Sequence, residues 1–253
     1  MSYHRADASA LLDNRGYTGP LVRGVNPATL FEKAVRDRIP DSYYWKEQCF
    51  GLNAATLCDR AVELGYVGGT YGLSQKPTPF LCLAFKMLQL MPEKDVVLEY
   101  LNFHDPENEE DSSTAAANGE EPTDAVVKAT GDFKYLRALA AFYIRLTFDA
   151  KEVYTTLEPL LTDYRKLKRR TKDGFTLTYM DQFVDDLLSK DRVCGTSLWK
   201  LPGRRMLEDL DILEERISPL ADEIEELDKE EGESDAKDRS DDDDRQSDRS
   251  GSG

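Results

Sequence analysis

Apolar residues recur at three- and four-residue spacings through most of this chain, the period of helices that bury one face. Asn26-Pro27 is an N-cap with proline at the first helical position, and Leu30, Phe31, Ala34 and Val35 mark the face that follows. Asn53 caps a second helix striped by Leu57, Cys58, Ala61 and Val62 and stopped by Gly65. Thr78-Pro79 starts a third, "FLCLAFKMLQL", apolar almost all round with Lys86 as its one charge, which places it at the centre of the core. Pro92 opens another towards Tyr100. Periodicity resumes at "DFKYLRALAAFYIRLTF" with Leu136, Leu139, Ala140, Tyr143 and Leu146, and Asp149 caps the next helix, which Pro159 must kink or end. Asp173-Gly174 is a turn dipeptide followed by the alternating "FTLTY", predicting a small β-hairpin near 167–179. Thr178-x-x-Asp181 resembles a capping box ahead of Met180, Phe183, Val184, Leu187 and Leu188.

No βαβ rhythm appears, so the expected class is all-α: a single multi-helix globular domain with that one hairpin. Met1 to Val25 is polar and turn-rich, read as a flexible arm (1–25). The helical domain spans 26–220. It is interrupted at 105–130 by acids, Ser, Ala, Asn-Gly and Pro, a composition that buries too little to offset its ordering entropy and predicts a disordered insertion. Residues 221–253 form an acidic disordered tail.

Charge sharpens this division. The net charge is −16, from 49 acids and 33 bases. Asp105 to Asp124 holds eight acids and no base, and Ala221 to Gly253 fifteen acids and five bases, so 26 acids against 28 bases remain elsewhere. The acidity belongs to appendages of a near-neutral core. No apolar stretch nears the ~20 residues of a membrane span, which predicts a soluble protein. Cys49, Cys58, Cys82 and Cys194 lack CxxC spacing and lie among apolar neighbours; with no secretory leader in view they read as reduced core thiols of an intracellular protein.

Candidate chemistry is tested at each motif. "GYVGGTYGLSQKPTPF" has the ingredients of a phosphate cradle, but Lys76 follows Gln75 rather than glycine, and Pro77 removes the next amide. The loop reads as a corner, with Gly68 and Gly69 as turn residues. His4 and His104 lie outside any framework that would fix a catalytic geometry, and the cysteines are too far apart in sequence for a zinc set. Asp185-Asp186 and Glu214-Glu215 read as solvated faces, since adjacent helical positions diverge. The expectation is no enzyme, no cofactor and no metal.

Two features carry interaction signals. "RKLKRRTK", residues 165 to 172, holds six bases in eight residues: Arg165, Lys166, Lys168, Arg169, Arg170 and Lys172. It suits an electrostatic face towards RNA or an acidic partner, a nuclear-localisation patch, or a solvated helix end approaching the hairpin. Met206, Leu210, Leu213, Ile217, Leu220, Ile224 and Leu227 form a heptad seam that either receives a partner helix or docks on its own core. Tyr43, Tyr44 and Trp45 are either partner anchors or core aromatics.

The blocks "NPATLFEKAVRDRI", "YWKEQCFGL", "YVGGTYG", "KPTPFLCLAFKMLQL", "DFKYLRALAAFYIRLT", "LEPLLTDYRKLK", "MDQFVDDLL" and "RVCGTSLWKL" together resemble the pre-mRNA-splicing factor 38 family, over about Asn26 to Leu220 apart from the insertion. The resemblance implies an all-helical, non-enzymatic scaffold of the spliceosome. It would be nuclear, associated with the tri-snRNP and the precatalytic complex, and required for activation more than assembly. Implied partners include a microfibrillar-associated-protein-like splicing factor and a zinc-finger splicing factor; outside the complex a monomer is expected. The rival reading is a direct RNA-binding module contacting snRNA or pre-mRNA through the 165–172 run. The insertion departs from the family pattern, as does the short, acidic tail, poor in the arginine-serine repeats some members carry.

Overall fold

The computed structural model describes residues 17–103 and 133–216. The acidic insertion (105–130), the acidic tail (221–253), His4 and His104 lie outside the described residues. The chain divides into two compact units, Met1–Gly203 and Arg204–Gly253.

In the first unit a 3-10 turn, Pro27–Leu30, opens under the Asn26 side chain, which accepts from the Ala28 amide at 3.0 Å. Helix α1 is the short Lys33–Arg36, and Trp45–Cys49 forms a π-helical turn. Helix α2, Ala54–Val62, starts at a capping box in which Asn53 and Thr56 exchange side-chain-to-backbone hydrogen bonds, both 2.9 Å. Helix α3, Pro79–Leu90, is capped by Thr78 and ends at Met91 in the left-handed region. Next come α4, Lys94–Leu101, and α5, Lys134–Thr147. Helix α6, Ala150–Leu157, begins at an Asp149–Glu152 capping box and gives way to a 3-10 turn, Glu158–Thr162, at Pro159. Helix α7 is Met180–Ser189. No helix among the described residues is long and apolar enough to cross a membrane.

Helices dominate, as the periodicity predicts, but strands go beyond one hairpin. The strands are β1 (Val67–Gly68), β2 (Thr70–Tyr71), β3 (Lys76–Pro77), β4 (Lys166–Arg170), β5 (Phe175–Tyr179), β6 (Arg192–Val193) and β7 (Thr196–Ser197). β4 and β5 form the expected hairpin, with Lys168 opposite Leu177, and β1 joins β4 in parallel, Val67 beside Arg169. β2–β3 and β6–β7 are separate two-stranded ribbons. Ladders of two residues leave no alternation to read in sequence, because tertiary contact makes them.

The core is built on α3 and α5. Phe80 to Leu88 are all buried, and so are Leu136 to Leu146. Phe80, Phe142 and Phe31 form an aromatic chain with centroids 5.7 and 6.4 Å apart; Phe183 of α7 meets Phe80 edge-on at 6.3 Å. Each such ring, fully withdrawn from water, contributes about 1.5–3 kcal/mol. Thr178 is buried in β5 and caps nothing, contrary to the capping box expected there. The first amides of α7 are met by backbone instead: Met180 N–H donates to the Arg165 carbonyl at 3.0 Å and Asp181 N–H to that of Asp163 at 2.9 Å. Residues 22 and 23, expected in the arm, are tied down: Val22 is buried, and Arg23 lies 4.5 Å over the Trp199 ring and donates to the Leu146 and Phe148 carbonyls.

In the second unit the heptad seam does not continue as one helix. Helix α8, Arg204–Asp209, ends in a Schellman motif: Asp211 is left-handed, and the Asp211 and Ile212 amides donate to the Glu208 and Leu207 carbonyls, both at 2.9 Å. That closure satisfies two end carbonyls and turns the chain before the seam's next residues.

Candidate interaction surface

The glycine loop is a corner. A side chain at Gly69 would overlap the backbone carbonyl of Cys194, so the two segments approach as only glycine permits. Cys194 and Gly195 are both left-handed in the two-residue turn between β6 and β7. Thr78 completes the corner: its hydroxyl donates to the Gly68 carbonyl at 2.7 Å and accepts from the Leu81 amide at 3.2 Å. Loop amides are engaged as well: those of Gly72, Gln75 and Thr78 donate to the Lys172, Gly72 and Gly69 carbonyls.

The basic run is a strand rather than a helix end, and alternation splits it. Leu167 is fully buried. Arg169 pairs with Asp186 at 2.9 Å, while Asp186, 1% exposed, also takes Lys190 at 2.6 Å and Gln182 at 3.3 Å. The expectation that Asp186 is solvated therefore fails; only Asp185 of that pair is exposed. Burial pushes the Asp186 carboxyl up, but Lys190 and Arg169 outweigh that and hold it below the usual range. Arg165 is likewise engaged, with Nη2 2.6 Å and Nε 2.8 Å from the buried Asp163.

Lys166, Lys168 and Arg170 point the other way. Opposite them on β5 stand Tyr179, Leu177 and Phe175, all exposed. Lys168 Nζ lies 4.2 Å and the Arg170 guanidinium 4.5 Å from the Phe175 ring centre; Arg170 also lies 4.8 Å over Tyr71, and Tyr66 meets Phe175 edge-on at 5.3 Å. Lys172 is exposed in the hairpin loop, and its carbonyl accepts from the Gly72 amide at 2.9 Å. Sequence reading finds only Leu167 interleaved with the bases. The aromatics come from the partner strand, in register.

Beside this face is a cavity of about 450 Å³ whose walls include Tyr43, Tyr44, Tyr66, Tyr71, Arg38 and Asp41. Tyr43 is 78% exposed and Tyr44 half-buried, whereas Trp45 is buried and packs 5.5 Å from Phe85. Trp45 therefore takes the second of the two readings open to it, a core aromatic, and is not a surface anchor. In the second unit Met206 and Leu210 are exposed, Leu213 is buried, and Ile217 lies outside the described residues.

Sequence reading missed two buried arginines of α5. Arg137 donates to the Leu101 carbonyl at 2.9 Å and to Asp163 and Asn102, each at 3.1 Å. Arg145 donates to the Leu187 and Trp199 carbonyls at 2.7 and 2.8 Å; burial, then the Arg23 charge, lowers its pKa to about 10. Their signal was two cations within the apolar stretch Leu136 to Leu146, charges that burial tolerates only with partners.

The PRP38 family model matches residues 21–211. Pre-mRNA-splicing factor 38 of Schizosaccharomyces pombe is 52% identical over 188 residues, 74% of this chain and 76% of that protein. Pre-mRNA-splicing factor 38A of Xenopus laevis is 44% identical over 207 residues, 81% of this chain but 58% of the frog protein. Among solved structures, a chain in the crystal structure of the Snu23-Prp38-MFAP1(217-258) complex of Chaetomium thermophilum is 56% identical, with a TM-score of 0.69, covering 85% of this chain and 100% of that one. The aligned blocks contain the α3–α5 core, the corner and the basic hairpin, and this chain belongs to the PRP38 family.

Proposed function

We propose that the chain works in pre-mRNA splicing as a non-enzymatic protein-protein scaffold of the nuclear spliceosome, joining the tri-snRNP and precatalytic complex and acting at activation. The observation that carries this reading is the 56% identity to a chain solved in complex with other proteins, over 85% of this sequence. By that kinship its partners are an MFAP1-like factor and a Snu23-like factor. The geometry is consistent: a rigid α3–α5 core supports an aromatic-walled cavity into which a partner side chain can insert as an anchor. The Thr78 hydroxyl and the buried Asp163 and Asp186 carboxylates already have partners within the fold, which suits a body that acts by shape.

The test is depletion of the chain from a splicing extract of its own organism, followed by add-back of purified protein. The proposal expects precatalytic complexes to assemble without it and to stall before activation, with add-back restoring splicing. Unimpaired activation in the depleted extract contradicts the proposal.

A further inference from the structure

The outer face of the β4–β5 hairpin goes beyond the scaffold reading and can be tested independently of it. Lys166, Lys168 and Arg170 stand on alternate residues of one strand, a repeat of about 6.7 Å. That repeat is close to the phosphate step of an extended polynucleotide. Among the described residues no ion pair engages these three, whereas the inward Arg165 and Arg169 are neutralised by Asp163 and Asp186. Each outward cation has an exposed apolar or aromatic neighbour directly across the ladder: Tyr179, Leu177 or Phe175. We infer that this face binds single-stranded RNA, with Lys166, Lys168 and Arg170 contacting successive phosphates and with Phe175 and Tyr179 stacking on bases.

The shape of the face favours RNA over an acidic protein. Anchors for protein partners fill desolvated pockets. Here the cavity is walled by other residues, and none of the hairpin side chains lines it. What the hairpin offers is an open sheet surface of rings and cations, on which planar bases stack without needing a pocket. Sequence-independent binding is expected, since no built hydrogen-bonding edge accompanies the rings.

The experiment is fluorescence anisotropy of the full chain with a labelled oligouridylate of about 12 nucleotides, titrated across a salt series. Three phosphate contacts predict log K falling with log salt at a slope of about −2, from roughly 0.7 per contact for single strands. Replacing Lys166, Lys168 and Arg170 together with Gln is expected to flatten that slope towards zero. Phe175→Ala is expected to weaken binding about tenfold at unchanged slope, the worth of one stacked base, and Leu177→Ala to change it less than about twofold. Circular dichroism and urea midpoints of each variant establish that it is folded. Three results overturn the inference: no RNA binding at low salt, RNA binding that the triple Gln variant retains with its slope, or a labelled oligoglutamate peptide binding as tightly as the RNA and indifferent to Phe175→Ala. The last would make the face an acidic-protein site.

Discussion

Asp163→Asn perturbs the ion-pair network that joins α5 to the start of β4. The carboxylate is 4% exposed and accepts from Arg137 Nη1 at 3.1 Å, from Arg165 Nη2 at 2.6 Å and Nε at 2.8 Å, and from the Arg165 amide at 3.2 Å. The amide keeps the shape and one acceptor but cancels the negative charge, so two guanidiniums face each other. Arg137, 2% exposed, cannot escape to water, and its pKa is already lowered by burial and then by Arg165. Removing one partner of a buried pair costs about 3–5 kcal/mol. Arg165 is 28% exposed and can turn outward, which argues for the lower end, ~3 kcal/mol. At about 2–4 °C per kcal/mol for a domain of this size, the melting temperature falls by roughly 6–12 °C. Thermal and urea unfolding followed by circular dichroism at pH 7 measures both quantities.

The pH dependence gives a second readout. Burial raises the Asp163 pKa, but hydrogen bonds and charge from Arg165, with the charge of Arg137, hold it below the usual carboxylate range. A depressed folded pKa contributes stability that is present above the unfolded value, about 3.9, and lost as pH falls through the folded one. The gap between native protein and Asp163→Asn is therefore constant near neutrality and shrinks on acidification below about pH 4. A loss under about 1 kcal/mol at pH 7 would refute the reasoning, because that is the worth of a solvated surface pair. So would a gap that widens with acid.

Other outcomes follow from the same packing. Gly69→Ala is expected to lower the urea midpoint by the equivalent of about 1–3 kcal/mol, since its methyl group meets the Cys194 carbonyl and backbone cannot swing aside; Gly65→Ala, facing open space, should stay within about 0.5 kcal/mol. Burial pushes the Cys82 and Cys194 thiols up to about 12 and Cys58 up to about 11, so Ellman's reagent at pH 8 should react slowly with folded protein and promptly with all four thiols in denaturant. Rapid stoichiometric labelling of the folded chain would contradict that burial. Phe142→Ala, at the junction of Phe31 and Phe80, should cost about 3–5 kcal/mol by urea titration, and a value near zero would mean the core is not centred there.

Legibility in the sequence followed locality. Asn53, Thr78 and Asp149 announced helix starts because a cap is a contact within three residues, and Asp173-Gly174 announced the hairpin for the same reason. Pro79 to Leu90 could be placed at the centre because a helix apolar all round has nowhere else to go. What escaped was non-local. The parallel pairing of Val67 with Arg169, and the approach of Gly69 to Cys194, join segments about a hundred residues apart. Asp186 looked solvated because the arginine that buries it lies on another element. The basic run was visible as charge, but which of its cations are spent inside and which stand beside aromatics became clear only from strand register. That the seam is not one continuous helix between Met206 and Leu213 was also hidden, because periodicity carries no sign of the Schellman closure at Asp211.

The central claim is that this fold holds other proteins by shape, and direct binding tests it most simply. Purified, nuclease-treated chain would be titrated calorimetrically with the MFAP1(217-258) peptide of Chaetomium thermophilum. The account predicts saturable one-to-one binding and joint elution of chain and peptide on size exclusion. Absence of heat and of joint elution at concentrations up to about 1 mM, an affinity weaker than ~4 kcal/mol, would contradict it.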